Sequence, residues 1–481
     1  MESQPPTQSA SQIPLCVDLD GTLIRSDLLL ESLFGLLKQN LFYLLLLPFW
    51  LLKGKAAFKQ RIAERVELAV ELLPYNEPLL EWLRGQRGQG RPLLLATASN
   101  VKYAEQVALH LGLFEGVLAS NGATNLSGGR KRQRLMELYG ERGFDYAGNS
   151  AADLRVWSHA RRAVLVNTPA AVARQAEGLT EIEQRFQDPT PGLRDYLKAL
   201  RLHQWLKNLL LFIPLAMSHQ LHNPLLLAQA ALGFLAFGLC ASSVYLLNDL
   251  LDLPADRRHP SKRRRAFAAG RIPLHHGVAL IPLLLLGALL AALWLPWEFL
   301  AVLGLYYGVT LAYSLRLKQA ALVDVLTLAG LYTVRLLAGG AAVAVPLSFW
   351  LLAFSMFLFL SLALVKRYSE LLVMRQENRD NAQGRGYVVG DLEGLAQFGA
   401  ASGYLAVLVL ALYINSEQVK VLYARPEAIW LLCPLLLYWI SRVWLLARRD
   451  QMHEDPVVFA IEDRRSHWLV AIGAAILWVA V

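Results

Sequence analysis

Residues 248–265 read NDLLDLPADRRHPSKRRR, and they follow directly on GFLAFGLCASSVYLL, residues 233–247. Three carboxylates and six cations thus stand at the edge of an apolar run. On a helix, Asn248, Asp252 and Asp256 recur at i, i+4 and i+8, and Asp249 precedes Asp252 by three, so all four share a face. Pro254 interrupts the helix there and blurs that register. Acids converging at a membrane edge repel one another unless a divalent cation sits among them. Mg2+ takes oxygen ligands, keeps waters and bridges carboxylates to substrate phosphates. Arg257, Lys262, Arg263 and Arg265 are then placed to hold phosphate charge that the ion leaves uncompensated. Read alone, the cations are also what any cytoplasmic loop beside a span carries.

Working outward, the chain has 481 residues, 55% of them apolar, with a mean hydropathy of +0.36 and a formal net charge of +9. That is too apolar for an ordinary soluble protein. Nine spans are expected, at about 205–219, 226–248, 274–294, 297–316, 321–342, 347–366, 395–415, 427–447 and 466–481, runs of a length suited to a ~30 Å hydrocarbon core. Loops near 249–271, 316–320, 366–385 and 448–465 are rich in Arg and Lys, whereas those between are nearly neutral. The positive-inside rule puts the first set, and the N-terminal region, in the cytoplasm of a cell (inner) membrane and the C-terminus outside. The basic residues are explained by loops and lack aromatic interleaving, which argues against nucleic acid. Three cysteines, Cys16, Cys240 and Cys433, imply no disulfide framework. MESQPPTQSASQIP has neither a basic start nor an apolar core, so no signal peptide is expected.

The first 185 residues have another rhythm. PLCVDLDGT, RPLLLATAS, FDYAGNS and RRAVLVNTP are short apolar runs ending in polar or Gly-containing turns, with helical stretches between them. This predicts a Rossmann-like parallel α/β sheet over 13–185, after a disordered 1–12. Residues 25–90 are expected to form a helical cap. Within it, LFYLLLLPFWLL (41–52) is too short to span and is broken by Pro48. Two readings are open: a buried helical hairpin, or a patch that docks on a bilayer with Lys53, Lys55 and Lys59 at the headgroups. Residues 186–200 read as a linker and interfacial helix, with Pro189, Pro191 and Gly192 excluding one continuous helix. A membrane domain fills 201–481.

Asp18 ends an apolar strand and Asp20 follows two residues on. In open α/β sheets ligands bind at carboxyl ends of strands. Paired acids there suit a nucleophile and a general acid/base, with Mg2+ neutralising a phosphate.

NDLLDLPADRRHPSKRRR resembles the first aspartate-rich motif, NDxxDxxxD, of the UbiA superfamily of intramembrane prenyltransferases. The resemblance covers roughly 194–481 and implies an all-α bundle of nine transmembrane helices around a central cavity. RLHQWLKNLLLFIPL, DRRHPSKRRRAFAAG and YSLRLKQAALVDVLTLAGLYTVRLLAGG are similar to its polyprenyl-phosphate (decaprenyl-phosphate) phosphoribosyltransferase branch. The superfamily's second motif, DxxxD, is reduced to Asp324, with Leu at 328, which argues against an ordinary aromatic prenyltransferase. The branch implies attack of a lipid monophosphate on C1 of phosphoribosyl pyrophosphate. On this resemblance Asn248, Asp249, Asp252 and Asp256 hold Mg2+ and pyrophosphate. Arg201, Lys207, Lys318 and Arg335 clamp phosphate. Tyr313 and Asp324 line the cavity near the sugar, and Lys366, Arg367 and Glu370 cover it. Asp324 and Arg335 are ionisable groups in a span, where such groups are costly and usually functional; a structural Asp–Arg pair is the other reading.

DLDGT resembles the first motif of the haloacid dehalogenase superfamily. Thr97, Lys131 and the GNSAAD of 148–153 resemble its second, third and fourth. This implies a phosphatase with Asp18, Asp20, Asn149 and Asp153 around Mg2+ and with Thr97 and Lys131 on phosphate. Asn149 stands where the family has Asp, so an active domain and one that only binds both stay open. An active one suggests a link between the halves, in which the bundle makes a lipid-linked ribose 5-phosphate and this domain removes the phosphate. The rivals are prenyl transfer from a prenyl diphosphate, and a non-catalytic transporter or scaffold.

Overall fold

The computed structural model describes residues 13–376, 385–416, 423–452 and 456–480. The segment expected to be disordered, 1–12, and the final residue of the ninth expected span lie outside the described residues. The chain divides into two compact units, Met1–Leu200 with Tyr245–Ile281, and Arg201–Val244 with Pro282–Val481. The aspartate-rich loop therefore groups with the N-terminal region.

The first unit is built on six parallel strands: β1 (Leu15–Val17), β2 (Leu93–Asn100), β3 (Gly116–Ser120), β4 (Asp145–Gly148), β5 (Arg162–Val166) and β6 (Glu181–Phe186). Their order across the sheet is β3-β2-β1-β4-β5-β6. Leu15 of β1 pairs with Leu93 on one side and Asp145 on the other. The chain reverses its direction of winding between β1 and β4, the place where an open sheet parts its loops to make a crevice. Four of the strands are those expected. β3 and β6 are additional, and β6 (EIEQRF) is mostly exposed, a charged edge that blunts sheet-to-sheet pairing.

Helices α1 (Leu28–Gln39), α2 (Tyr43–Leu52) and α3 (Lys55–Ala63) are inserted after β1. Asp27 starts α1 by accepting from Leu30 N at 2.9 Å. The three share a small core of Leu36, Trp50, Ile62 and Val66. Next, α4 (Glu77–Gly88) packs Leu79, Leu80 and Leu83 with Leu15, Val17, Leu93 and Leu95 of the sheet. The remaining helices are α5 (Val101–Leu111), α6 (Gly128–Tyr139), α7 (Leu154–Trp157), α8 (Ala170–Glu177) and α9 (Leu193–Ala199). The 41–52 run is not buried. Only Trp50 is enclosed, and eight large apolar side chains, from Leu46 at 43% to Leu52 at 84%, face outward. Lys59 is not turned to headgroups either: its Nζ donates to Ala98 O at 2.6 Å and Asn125 Oδ1 at 3.1 Å.

Among the described residues seven helices are long and apolar enough to cross a membrane: Pro224–Leu251, Leu274–Ala292, Trp297–Leu315, Val323–Ala342, Phe349–Gln376, Val389–Ile414 and Pro426–Arg448. The expected nine are not reached. The first expected span winds as a 3-10 helix, Leu202–Phe212, followed by a short turn of α-helix, Ile213–Met217; Pro214, without an amide proton, stands where the winding changes. The last, Arg464–Ala480, has 17 described residues.

Candidate active sites

The crevice between β1 and β4 collects four sequence motifs. Lys131 of α6 donates to Asp18 Oδ1 at 2.8 Å and to the Tyr146 hydroxyl at 2.7 Å. The Tyr146 hydroxyl in turn donates to Asp153 Oδ1 at 2.9 Å. Asp153 Oδ2 accepts from the amides of Asn149 and Ser150 and from the Ser150 hydroxyl at 2.9–3.1 Å. Asp153 is thus saturated: it shapes the loop and neutralises Lys131 rather than facing an ion openly. Asp20 leans the other way, accepting from Leu28 N at 2.8 Å and from the Ser99 hydroxyl. Thr97 is fully buried and receives Ser99 N at 3.0 Å, so it sets the turn carrying Ser99. Gly21 has φ +74°, and a Cβ there would lie 2.1 Å from Asn149 Nδ2. Only glycine lets the Asp18–Asp20 turn and Asn149 approach so closely.

Burial pushes the Asp18 carboxyl up to about 6, against the pull of Lys131. Burial, with the charge of Asp27, pushes Asp20 up to about 7. Burial pulls the Lys59 ammonium down, opposed by Asp20 and Asp27. The same burial therefore holds both carboxyls above the usual carboxylate range, with Lys131 opposing it at Asp18 and the Ser99 hydroxyl and Leu28 amide opposing it at Asp20. Sequence reasoning missed Tyr146 and Ser99, and set Lys59 at headgroups when it reaches Ala98 O beside this crevice. Tyr146 was legible in principle, since it lies two residues before Gly148 in the same strand and shares its face.

The aspartate-rich loop belongs to the same unit. Helix Pro224–Leu251 ends before Asp252, one residue earlier than Pro254 would suggest, and Leu253–Arg258 resumes it. Amides of Asp252 and Asp256 reach Asn248 O at 2.9 Å and Asp252 O at 2.8 Å, so the helical register survives the break. It brings Asp249 and Asp256, both 4% exposed, onto one guanidinium: Arg265 Nη1 lies 3.1 and 2.7 Å from them. Asp252 meets Lys38 of α1 at 2.6 Å. Arg257 does not turn to a phosphate site. It is buried and bidentate on Glu31 of α1 at 2.7 and 2.9 Å, and its Nε donates to Ala268 O at 3.0 Å. Asn248 and Lys262 are half-buried nearby, and Arg263 is exposed.

The second unit holds two further clusters. Asp324, fully buried, accepts from Tyr313 Oη at 2.8 Å and pairs with Arg367 Nη2 at 2.8 Å. Arg367 reaches Glu370, which Arg385 meets at 2.9 Å. The Arg367 guanidinium lies 5.7 Å from the Tyr387 ring. Arg335 is not Asp324's partner, because it lies 11 residues along the same helix, roughly 16 Å away. It donates to Asn208 Oδ1 at 3.0 Å, Leu331 O at 2.6 Å and Tyr306 Oη at 3.3 Å. The rings of Phe237, Tyr306 and Tyr332 surround it at 5.2–5.5 Å, and Lys207 lies 5.7 Å from the Tyr332 ring. Arg201 (φ +52°) precedes the 3-10 helix; Lys318 and Lys366 are half-buried. An apolar cavity of about 1270 Å3 runs through this unit, lined by residues such as Leu210, Met217, Leu336, Phe354 and Trp439. That exceeds the ~300–1,000 Å3 usual for small-molecule sites.

Among the described residues no three acidic, His or Cys side chains form a metal cage. Mg2+ needs none: one or two carboxylates, waters and substrate phosphates suffice. Asp249 with Asp256 supply such a pair, and Asp18 with the Asn149 amide supply a weaker set. Both fit.

The chain matches the UbiA prenyltransferase family over residues 209–470. It belongs to that family. It is 39% identical to the uncharacterized protein y4nM of Sinorhizobium fredii across 98% of this chain and 91% of that one. It is 40% identical to decaprenyl-phosphate phosphoribosyltransferase of Mycolicibacterium smegmatis over 179 residues, 36% of this chain and 56% of that enzyme. A UbiA homologue from Archaeoglobus fulgidus bound to DMAPP and Mg2+ aligns at TM-score 0.45 and 18% identity, covering 59% of this chain and 99% of that one. Neighbours over the N-terminal part include a HAD family hydrolase from Salmonella enterica, TM-score 0.28 and 13% identity, over 36% of this chain and 68% of that one.

Proposed function

We propose that this protein transfers 5-phosphoribose from phosphoribosyl pyrophosphate to a polyprenyl phosphate, and that its N-terminal site then removes the 5-phosphate. The observation that carries the first step is the state of Asp324. It is already neutralised by Arg367 and hydrogen-bonded by Tyr313, which leaves the diphosphate to one carboxylate pair and suits the phosphoribosyl branch better than a two-ion prenyl diphosphate site. The identity to the mycobacterial phosphoribosyltransferase supports the same donor. The cavity is apolar and, at about 1270 Å3, larger than ordinary small-molecule sites, which suits a polyprenyl chain.

In the first step a lipid phosphate oxygen bonds to ribose C1 while the C1–O bond to pyrophosphate breaks, and the leaving group takes the electron pair. Asp249, Asp252 and Asp256 would hold Mg2+ there, and Asp18 with Asn149 at the sheet; the ion supplies charge neutralisation for the phosphates. Lys207 and Arg335 hold anionic oxygens. In the second step Asp18 attacks the 5-phosphorus, Lys131 holds the phosphoryl oxygens, and Asp20 gives its proton to the departing ribose oxygen. Water then attacks the phosphorus of the acyl phosphate, the bond from the Asp18 oxygen to phosphorus breaks to return the carboxylate and release phosphate, and Asp20 takes the water's proton.

The test supplies purified protein in lipid with polyprenyl phosphate and doubly labelled phosphoribosyl pyrophosphate. Ribose label should enter the lipid, and 5-phosphate label should appear as free phosphate. Asp18→Asn should accumulate the phosphorylated lipid; an unchanged product breaks the link between the halves. Incorporation from a prenyl diphosphate instead would replace the donor.

A further inference from the structure

Helix α2 is apolar around its whole circumference yet buried along one line only. Inward, Trp50 is 5% exposed, packs 5.8 Å from the Tyr43 ring, and lies beneath the guanidinium of Arg65 at 4.9 Å. Outward, Leu41, Phe42, Leu44, Leu45, Leu46, Phe49, Leu51 and Leu52 are all exposed. Elsewhere between residues 13 and 200 the exposed large apolar side chains are Leu109, Leu179, Leu193 and Leu197. A run of eight exceeds the scattered exposure that soluble surfaces tolerate. At ten residues, roughly 15 Å, the helix is half the length of a ~30 Å hydrocarbon core. It can lie in an interface and cannot cross one.

The charge around it selects the partner. From Ser32 to Ala63 there is no acidic residue, and there are five cations, Lys38, Lys53, Lys55, Lys59 and Arg61. Lys53 and Lys55 are exposed at the C-terminal end of α2. A second copy packed about a two-fold axis would double the positive charge of this stretch in one interface with no acid from Ser32 to Ala63 to compensate it. An anionic lipid surface instead receives leucine and phenylalanine below the headgroups and lysine among them. Among the described residues seven helices are also long and apolar enough to cross a membrane, so such a surface is at hand.

We propose that α2 docks the phosphatase-like domain on the face of an anionic lipid bilayer, inserting Phe42, Leu45, Phe49 and Leu52 to headgroup depth. This deepens the proposed function by naming how a lipid-borne phosphomonoester is met: Lys59, seven residues beyond α2, already reaches the backbone carbonyl of Ala98, beside Ser99 and so beside Asp20. The docking itself does not require that reaction.

The test places a nitroxide on Leu45→Cys in the full chain, reconstituted in nanodiscs with and without anionic lipid. The three native cysteines are buried, and Leu109→Cys on α5, 86% exposed, is the reference. The Leu45 label should be relaxed by molecular oxygen and shielded from a water-soluble nickel chelate, with the Leu109 label behaving oppositely. Lys53→Glu with Lys55→Glu should weaken that shielding in anionic discs and leave it unchanged in neutral ones. A Leu45 label as open to the chelate as Leu109 overturns docking. So does shielding from both reagents with dipolar broadening between labels, which would mean a second copy covers α2. A shielded, oxygen-exposed label with no phosphate release leaves docking standing and removes the proposed second reaction.

Discussion

Two acidic centres in this chain face the same electrostatic problem and solve it differently. At the carboxyl ends of the central strands β1 and β4 the carboxylates are fixed by short-range chemistry. Asp153 is held by neighbouring amides, Asp20 by the first amide of α1, and Lys131 sits among them. In the aspartate-rich loop the carboxylates are set by helical register and quietened by cations from elsewhere, Arg265 across one turn and Lys38 from 214 residues away. Strand ends give a rigid, locally satisfied site. A helix break gives a site whose charge depends on distant partners. Perturbation should therefore stay local in the first centre and spread in the second.

The largest effect is expected from Asp18→Asn, which removes the proposed nucleophile: phosphate release should fall by at least ~10^3-fold while ribose transfer is unchanged, measured on the two labels separately. Loss of both would mean the centres are not independent. Next, Asp256→Asn removes one member of the carboxylate pair and should lower transfer on the order of 10^2-fold, with phosphate release from an added phosphorylated lipid retained. Glu31→Gln leaves the Arg257 guanidinium buried without its charge partner, and a cost of about 3 kcal/mol is expected, seen as a lowered thermal midpoint. Arg257→Gln with Glu31→Gln should recover much of it.

A further effect concerns pH without divalent ions. Asp18 and Asp20 hold protons more tightly folded than unfolded, with carboxyls raised to about 6 and about 7. The folded state then binds more protons between pH 4 and 7, so ion-free stability should fall as pH rises through that window, by several kcal/mol, on the order of 7 at most. Flat stability would show that the acids are solvated. The smallest change is Asn149→Asp, which restores a charge beside Asp18; the Mg2+ needed for half-maximal phosphate release should drop by roughly fivefold. No change would mean Asn149 does not meet the ion.

What was legible in the sequence follows the same division. The DLDGT turn, Thr97, Lys131 and GNSAAD predicted one crevice, because strand ends force neighbours together whatever the loops do. β6 escaped notice because EIEQRF is a polar edge without an apolar run. In the helical region the acids at 249 and 256 were placed on one face by register alone, and they share Arg265. Their partners were not legible: Asp324 meets Arg367 on another helix, and Arg257 was assigned to phosphate when Glu31 holds it. Periodicity says which way a side chain leaves its helix and nothing about what waits there. The first expected span does not form one long α-helix: it winds as a 3-10 helix, Leu202–Phe212, and then a short α-helix, Ile213–Met217, with Pro214 where the winding changes.

The bond between Glu31 and Arg257 joins residues 226 apart in sequence, and so sets an order of manufacture. Ribosomes deliver the N-terminal α/β half first, and the aspartate-rich loop closes onto a surface already waiting for it. A gene cut at the linker would yield a membrane half whose aspartate-rich loop has lost its template, so a chain joined in this way is hard to divide by recombination.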